Sequence, residues 1–136
     1  MHDEKVLVLA NVRIEQAKGC LKSSEILLRE GSFRDAANRS YYCIFHAMRA
    51  VLALEKYDSK KHSGIIAVFR QNYVKTGIFK AELSDIIGDA FRIRNDSDYE
   101  DHFMITEAEV KEQIGNAKNF LLTIDKYIEQ KTVENQ

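Results

Sequence analysis

The chain has no proline and only six glycines in 136 residues, so little in it would interrupt a helix once begun. Its two cysteines, Cys20 and Cys43, have neither metal-ligand spacing nor the density of a secreted disulfide scaffold. A reduced thiol pair in the cytoplasm is the expectation. The four histidines are scattered, with no His-x-x-x-His pair, and no metal or other cofactor is expected. A Gly-x-Ser-x-Gly elbow is also missing, which removes the hydrolases built on it. The formal charge is only −1, so the broad basic surface of a dedicated duplex-binding protein is absent and any nucleic-acid contact must be local. The apolar run Val6-Leu7-Val8-Leu9-Ala10 is too short to span a membrane, and the acidic start His2-Asp3-Glu4 lacks a signal peptide's basic flank. No membrane partner is expected.

What remains is rich in Ala, Leu, Ile, Glu, Lys and Arg, and points to an all-α fold in one domain spanning residues 1–136. Leu7, Ala10, Ile14, Ala17, Leu21, Ser24 and Leu28 alternate steps of three and four, the seam of a helix running to about Glu30. Gly31 suits its C′ position, and Ser32 with Asp35 resembles a capping box opening a second helix from about Phe33 to Leu54. A polar connector from Lys56 leads to a third helix over about His62 to Lys75. A fourth, with Leu83, Ile86, Ile87, Ala90, Phe91 and Ile93 as its apolar positions, ends near Asn95. The run Asn95-Asp96-Ser97-Asp98-Tyr99 reads as a loop. Thr106 and Glu109 form a capping box for the last helix, which carries Val110, Ile114, Ala117, Leu121, Ile124 and Ile128. The ordered core covers about residues 5–130, residues 131–136 read as a frayed polar tail, and short connections favour an up-and-down bundle of four to five helices.

The second helix carries the chemistry. At about 100° per residue, Arg39, Tyr42, Cys43, His46 and Arg49 share one stripe, while Tyr41, Ile44, Phe45, Ala47, Met48, Val51 and Leu52 cover the other side. Desolvating guanidinium and imidazole groups costs several kcal/mol unless they are paired. The stripe therefore meets carboxylates or carbonyls within the fold, or a phosphate gripped by arginines beside an imidazole that titrates near neutrality. Arg94, beside Asn95, can pair with Asp98 one turn on, or clamp a phosphate with Tyr99 or His102 nearby. Lys60, Lys61 and His62 precede Ser63-Gly64 at a helix start, either as a solvated loop or as an anion site. With no upstream strand and the lysines ahead of the glycine, this is not a nucleotide-triphosphatase loop.

Three segments in order, Ala37-Asn38-Arg39-Ser40-Tyr41-Tyr42 through Phe45-His46-Ala47, then Lys61-His62-Ser63-Gly64, then Phe91-Arg92-Ile93-Arg94-Asn95 to Asp98-Tyr99, resemble the HEPN superfamily, in particular its small stand-alone proteins. The resemblance spans about residues 5–130. It implies a four- or five-helix bundle that dimerises around the polar stripe. It also implies either a metal-independent RNase, often a toxin of a two-gene operon, or a non-catalytic partner of a minimal nucleotidyltransferase. Catalytic members carry an arginine followed, after four to six residues, by a histidine. Here Arg94-Asn95 fits the first half, but Tyr99 stands where a histidine would, and His102 follows Arg94 only after seven intervening residues. Arg39 and His46 have six residues between them but lie on the second helix. Tyrosine, with an ordinary pKa of about 10, is a poor base, and arginine stabilises charge without moving protons.

The expectation is therefore a homodimeric partner of a nucleotidyltransferase that binds a nucleotide or RNA through Arg39, Tyr42, Arg49, Lys61, His62, Asn95 and Tyr99. The alternatives are an endoribonuclease toxin using Arg94 with His46 or His102, or a purely structural dimerisation module. Where a nucleotidyltransferase is the partner, the resemblance marks Tyr99 for nucleotide modification.

Overall fold

The structure, a computed structural model, describes residues 2–99 and 103–136. Its helices are α1 (Glu4–Arg29), α2 (Phe33–Ala53), α3 (His62–Phe69), α4 (Glu82–Tyr99) and α5 (Glu107–Glu134), with a π-helical turn at Arg70–Val74 extending α3. No strand occurs among the described residues, and the fold is an all-α bundle.

The Ala- and Leu-rich periodicity fixes which faces meet. On α1, Leu7, Ala10, Ile14, Ala17 and Ser24 are buried, as the three-four rhythm requires. α2 is the central element and packs against α1, α3, α4 and α5. Its Ala36, Ala47 and Ala50 are fully buried and allow close helix approach, while Ile44, Met48, Val51 and Leu52 fill the core between them. Each such aliphatic side chain contributes about 1.5–3 kcal/mol by leaving water. Ser24 donates to the Ala36 carbonyl at one end and Arg13 to that of Arg49 at the other, so α1 and α2 run antiparallel. Lys18 meets Asp125, and the His2 N–H donates to Asn135, so α5 is also antiparallel to α1.

The turns have identifiable causes. Gly31, at φ 80°, is the left-handed residue of a Schellman motif in which the Ser32 N–H bonds to the Leu27 carbonyl and the Gly31 N–H to that of Leu28. Closing α1 in this way occupies Ser32, whose side chain makes no capping bond to α2, so the capping box expected with Asp35 does not form. The same motif closes α2, with Lys56 at φ 60° in the left-handed position and the Tyr57 N–H on the Leu52 carbonyl. Thr106 and Glu109 do form their reciprocal capping box.

Three further expectations fail. The run Asn95–Tyr99 is helix rather than loop, because Arg92 and Arg94 reach Asp96 and Asp98 one turn ahead and Ser97 is buried on the face of Ile93. The third helix widens into a π turn at Arg70, closed by the Lys75 N–H on the Arg70 carbonyl, instead of running evenly to Lys75. Residues 131–134 continue α5 rather than fraying, with Thr132 bonded to the Ile128 carbonyl and Asn135 holding His2.

Candidate functional site

The site lies where α2, the start of α3 and the second half of α4 meet, around two consecutive tyrosines. Consecutive helical residues point about 100° apart, so Tyr41 enters the interior while Tyr42 stays half-buried beside it. Their rings meet edge to face at 5.2 Å. Arg94 on α4 spreads its guanidinium over both, 5.1 Å from the Tyr41 ring centre and 5.7 Å from that of Tyr42. It also donates toward the Tyr42 hydroxyl at 3.5 Å and pairs with Asp98 at 3.6 Å. Arg39 covers the Tyr42 ring from one turn back, at 4.9 Å, and its guanidinium donates to the neutral amide of Asn38. Such cation–π contacts hold an arginine in place, about 0.5–2 kcal/mol each, without cancelling its charge.

Two imidazoles complete the cluster. His46, one turn after Tyr42, has its ring 6.0 Å from that of Tyr42, and its Nδ1 is shielded from solvent with no hydrogen-bond partner among the described residues. Burial, and then the charges of Arg49, Arg39 and Arg13, hold its pKa below the ordinary 6.5. His62, at the first turn of α3, stacks on Phe45 at 4.1 Å and meets the Tyr41 hydroxyl through Nδ1 at 2.7 Å. Burial, then Arg94 and Arg49, lower its pKa as well. Burial pushes the Tyr41 phenol far above its usual range, so the hydroxyl keeps its proton. At neutral pH the site thus combines two exposed-edge guanidinium groups, two uncharged imidazoles and an aromatic floor. It can bind a phosphate and, through an uncharged imidazole, accept a proton.

The residues singled out in the sequence divide into three groups. Arg39, Tyr42, His46, His62 and Arg94 are brought together. Arg49 turns instead to Asp58, at 3.1 Å, and shares that carboxylate with the buried Arg13 at 3.4 Å. Lys61, Asn95 and Tyr99 sit at the edges: Lys61 is an exposed N-cap of α3, Asn95 is half-buried beside Arg94, and Tyr99 is 81% exposed at the end of α4. His102 lies outside the described residues. Cys43 leaves the polar stripe altogether. It is fully buried, its thiol faces the Ala117 carbonyl on α5, and burial pushes its pKa up to about 12. Neither internal pairing considered for the stripe forms: Arg39 meets an amide rather than a carboxylate, and His46 Nδ1 meets no carbonyl.

Sequence reasoning missed Tyr41 and Phe45, which it assigned to the core face, and the clamp of Arg13 and Asp58. Tyr41 had a readable signal: a phenol on an otherwise apolar face needs a partner for its hydroxyl. Among the described residues no group of three or more His, Cys, Asp and Glu side chains is placed to hold a metal ion, and no helix is long and apolar enough to cross a membrane.

Comparisons with known proteins agree with this architecture. A UPF0332 protein of Thermotoga maritima is 35% identical over 114 residues, covering 84% of this chain and 86% of that protein. Two proteins of Methanocaldococcus jannaschii, named "Putative toxin MJ0142" and "Putative toxin MJ0605", are 30% and 32% identical over 120 and 117 residues. Those matches cover 88% and 86% of this chain, and 82% and 87% of the two proteins. The family model of the HEPN domain matches residues 10–127, a stretch that contains every element of the cluster, and the chain belongs to the HEPN domain family.

Proposed function

We propose that this HEPN protein is a homodimeric, toxin-type member of a two-protein pair, and that the cluster around Tyr41 and Tyr42 binds RNA through its phosphates. The observation that carries the reading is the state of Arg94 and Arg39. Both are oriented by aromatic rings, Arg39 is bonded to an amide, and among the described residues Arg94 has long contacts to the Tyr42 hydroxyl and to the 40%-exposed Asp98. A phosphate oxygen offers each a better acceptor than it now has. The names of two relatives, both putative toxins, support the toxin part of the reading.

Two extensions each have an observation in their favour. Cleavage without metal is favoured by His46, an imidazole kept uncharged beside Arg39, which suits it to take the proton of a ribose 2′-hydroxyl as that oxygen attacks phosphorus. The phosphorus–5′ oxygen bond would break, with the departing oxygen taking a proton from solvent, leaving a 2′,3′-cyclic phosphate and a 5′-hydroxyl. Pairing with a nucleotidyltransferase is favoured by Tyr99, whose phenol is exposed at the end of α4.

The test is a short single-stranded RNA mixed with the purified protein in EDTA, read for both binding and cleavage, with Arg94→Ala alongside. Binding that Arg94→Ala weakens supports the site, and cleavage that Arg94→Ala abolishes adds the nuclease. RNA left unbound by the wild-type protein refutes the reading.

A further inference from the structure

His62 reaches the cluster from a different element than the arginines, and its ring is held by contacts on several sides. Phe45 stacks on one face at 4.1 Å with 26° between planes, Tyr42 meets it edge to face at 5.8 Å, and Tyr41 binds Nδ1 at 2.7 Å. Tyr41 is 1% exposed, and among the described residues its hydroxyl has this one hydrogen-bond partner. A buried hydroxyl that keeps its proton undonated costs free energy, and the Nδ1 lone pair is the acceptor at hand, an arrangement that favours the imidazole proton on Nε2. Nε2 lies across the ring from the bond to Tyr41. His62 also lines a cleft of about 500 Å3 with Phe45, Arg49, Asp58, Ser59 and Lys60.

We propose that His62 is a phosphate-binding residue of this site, presenting an uncharged Nε2–H donor to an anionic phosphate oxygen, and that Tyr41 is the positioning residue that fixes this tautomer. The inference rests on the RNA-binding reading above and names a ligand contact that the arginines do not supply. The charged groups facing His62 explain why a neutral donor is used. Arg49 on α2 and Arg94 on α4 disfavour a further positive charge, and Lys60 on the connector adds to that field, while Asp58 is already shared between Arg13 and Arg49. The same field attracts an anion. Taking up a proton at Nε2 would require the lone pair to be on that nitrogen, which the Tyr41 bond opposes, so His62 binds while proton transfer is left to His46.

Two measurements test this on the full chain. Long-range proton–nitrogen NMR of the histidine side chains at neutral pH reads the tautomer, and fluorescence anisotropy reads binding of a labelled single-stranded RNA. His62 in the wild-type protein should be in the Nε2–H form, and Tyr41→Phe should give mixed tautomers. His62→Ala should weaken RNA binding about tenfold, the range of one hydrogen bond to a charged group. His62→Gln, whose amide N–H can stand near the Nε2 position, should stay within about threefold of wild type, since this contact needs a donor and no titration. An Nδ1–H tautomer in the wild type overturns the role given to Tyr41. Unchanged binding by His62→Ala while Arg94→Ala loses binding overturns the contact and leaves the RNA reading standing. Equal binding by all three proteins overturns both. A His62→Gln protein that binds normally but no longer cleaves RNA would show proton transfer at His62 and also overturn the proposal.

Discussion

Two pairs of arginines lie close together around α2 and do different things. Arg13 and Arg49 share Asp58, and the resulting clamp fastens the connector between α2 and α3 to the middle of α1. Arg39 and Arg94 lie over tyrosine rings with an amide and a long, solvent-washed carboxylate for company. The side chains are identical, so the difference is in the partners. A carboxylate with two guanidinium groups consumes their charge locally, whereas an aromatic ring orients a guanidinium and leaves its field free. Titration tells the same story. Burial works against the Asp58 charge, but hydrogen bonds from Arg49 and the Ser59 N–H, with the charges of Arg49 and Arg13, outweigh it and hold the carboxyl below its usual range. Arg13 itself is depressed, first by burial and then by Arg49. Positive charge on a helix is thus no indicator of a site until its pairing is known.

The contrast can be broken most forcefully by reversing a charge. Arg94→Glu should lower RNA affinity about a hundredfold, the loss of a charge-assisted contact plus repulsion of phosphate, with the bundle still folded. Losing the fold along with the affinity would mean that Arg94 belongs with the structural pair. Conversely, Asp58→Ala strands the buried Arg13 without its carboxylate and should cost about 1–3 kcal/mol of stability in urea unfolding. A cost near zero would show that the Arg49 carbonyl alone satisfies Arg13.

Acid should move stability and RNA binding in opposite directions. His46 and His62 have folded-state pKa values below 6.5, so as pH falls through 6.5 the unfolded chain takes up protons that the folded chain refuses. Stability is therefore full above 6.5 and declines below it, while each proton that does bind adds positive charge to the site and tightens RNA binding. Melting curves and anisotropy over the same pH series check both signs. Melting temperatures that rise as pH falls from 7 to about 5 would contradict the burial of these imidazoles. Lys56→Gly should stabilise the protein by about 0.5–1 kcal/mol, because glycine adopts the left-handed conformation at this helix end without steric cost. The smallest effect belongs to Arg92, whose exposed pair with Asp96 at 3.8 Å should be worth under about 0.5 kcal/mol in an Arg92→Ala comparison.

The all-α class, the helix starts at Phe33 and His62, the Gly31 stop and the Thr106 capping box were legible because each depends on residues within a turn or two of one another. Reading Asn95–Tyr99 as a loop went wrong for the opposite reason. Asn, Asp and Ser favour turns on their own, and the ion pairs one turn back together with the burial of Ser97 override that preference. In the site, helical periodicity aligned Arg39, Tyr42 and His46, and the resemblance pointed to Arg94. The bond from Tyr41 to His62 joins residues 21 apart, and Arg13 meets Asp58 across 45 positions. No local pattern carries such pairings, and Cys43 shows the converse: a residue aligned with the stripe by periodicity that α5 nonetheless covers.

Because α2 packs against all four other helices and also carries Arg39, Tyr41, Tyr42 and His46, most of the recognition surface is built on the central helix of the core. Divergence toward new targets is confined to the few half-covered positions of that helix and to the opposing ends of α3 and α4. Relatives with different targets should therefore share nearly superimposable backbones and differ in a handful of side chains, so that exchanging those side chains alone would transfer target preference from one relative to another.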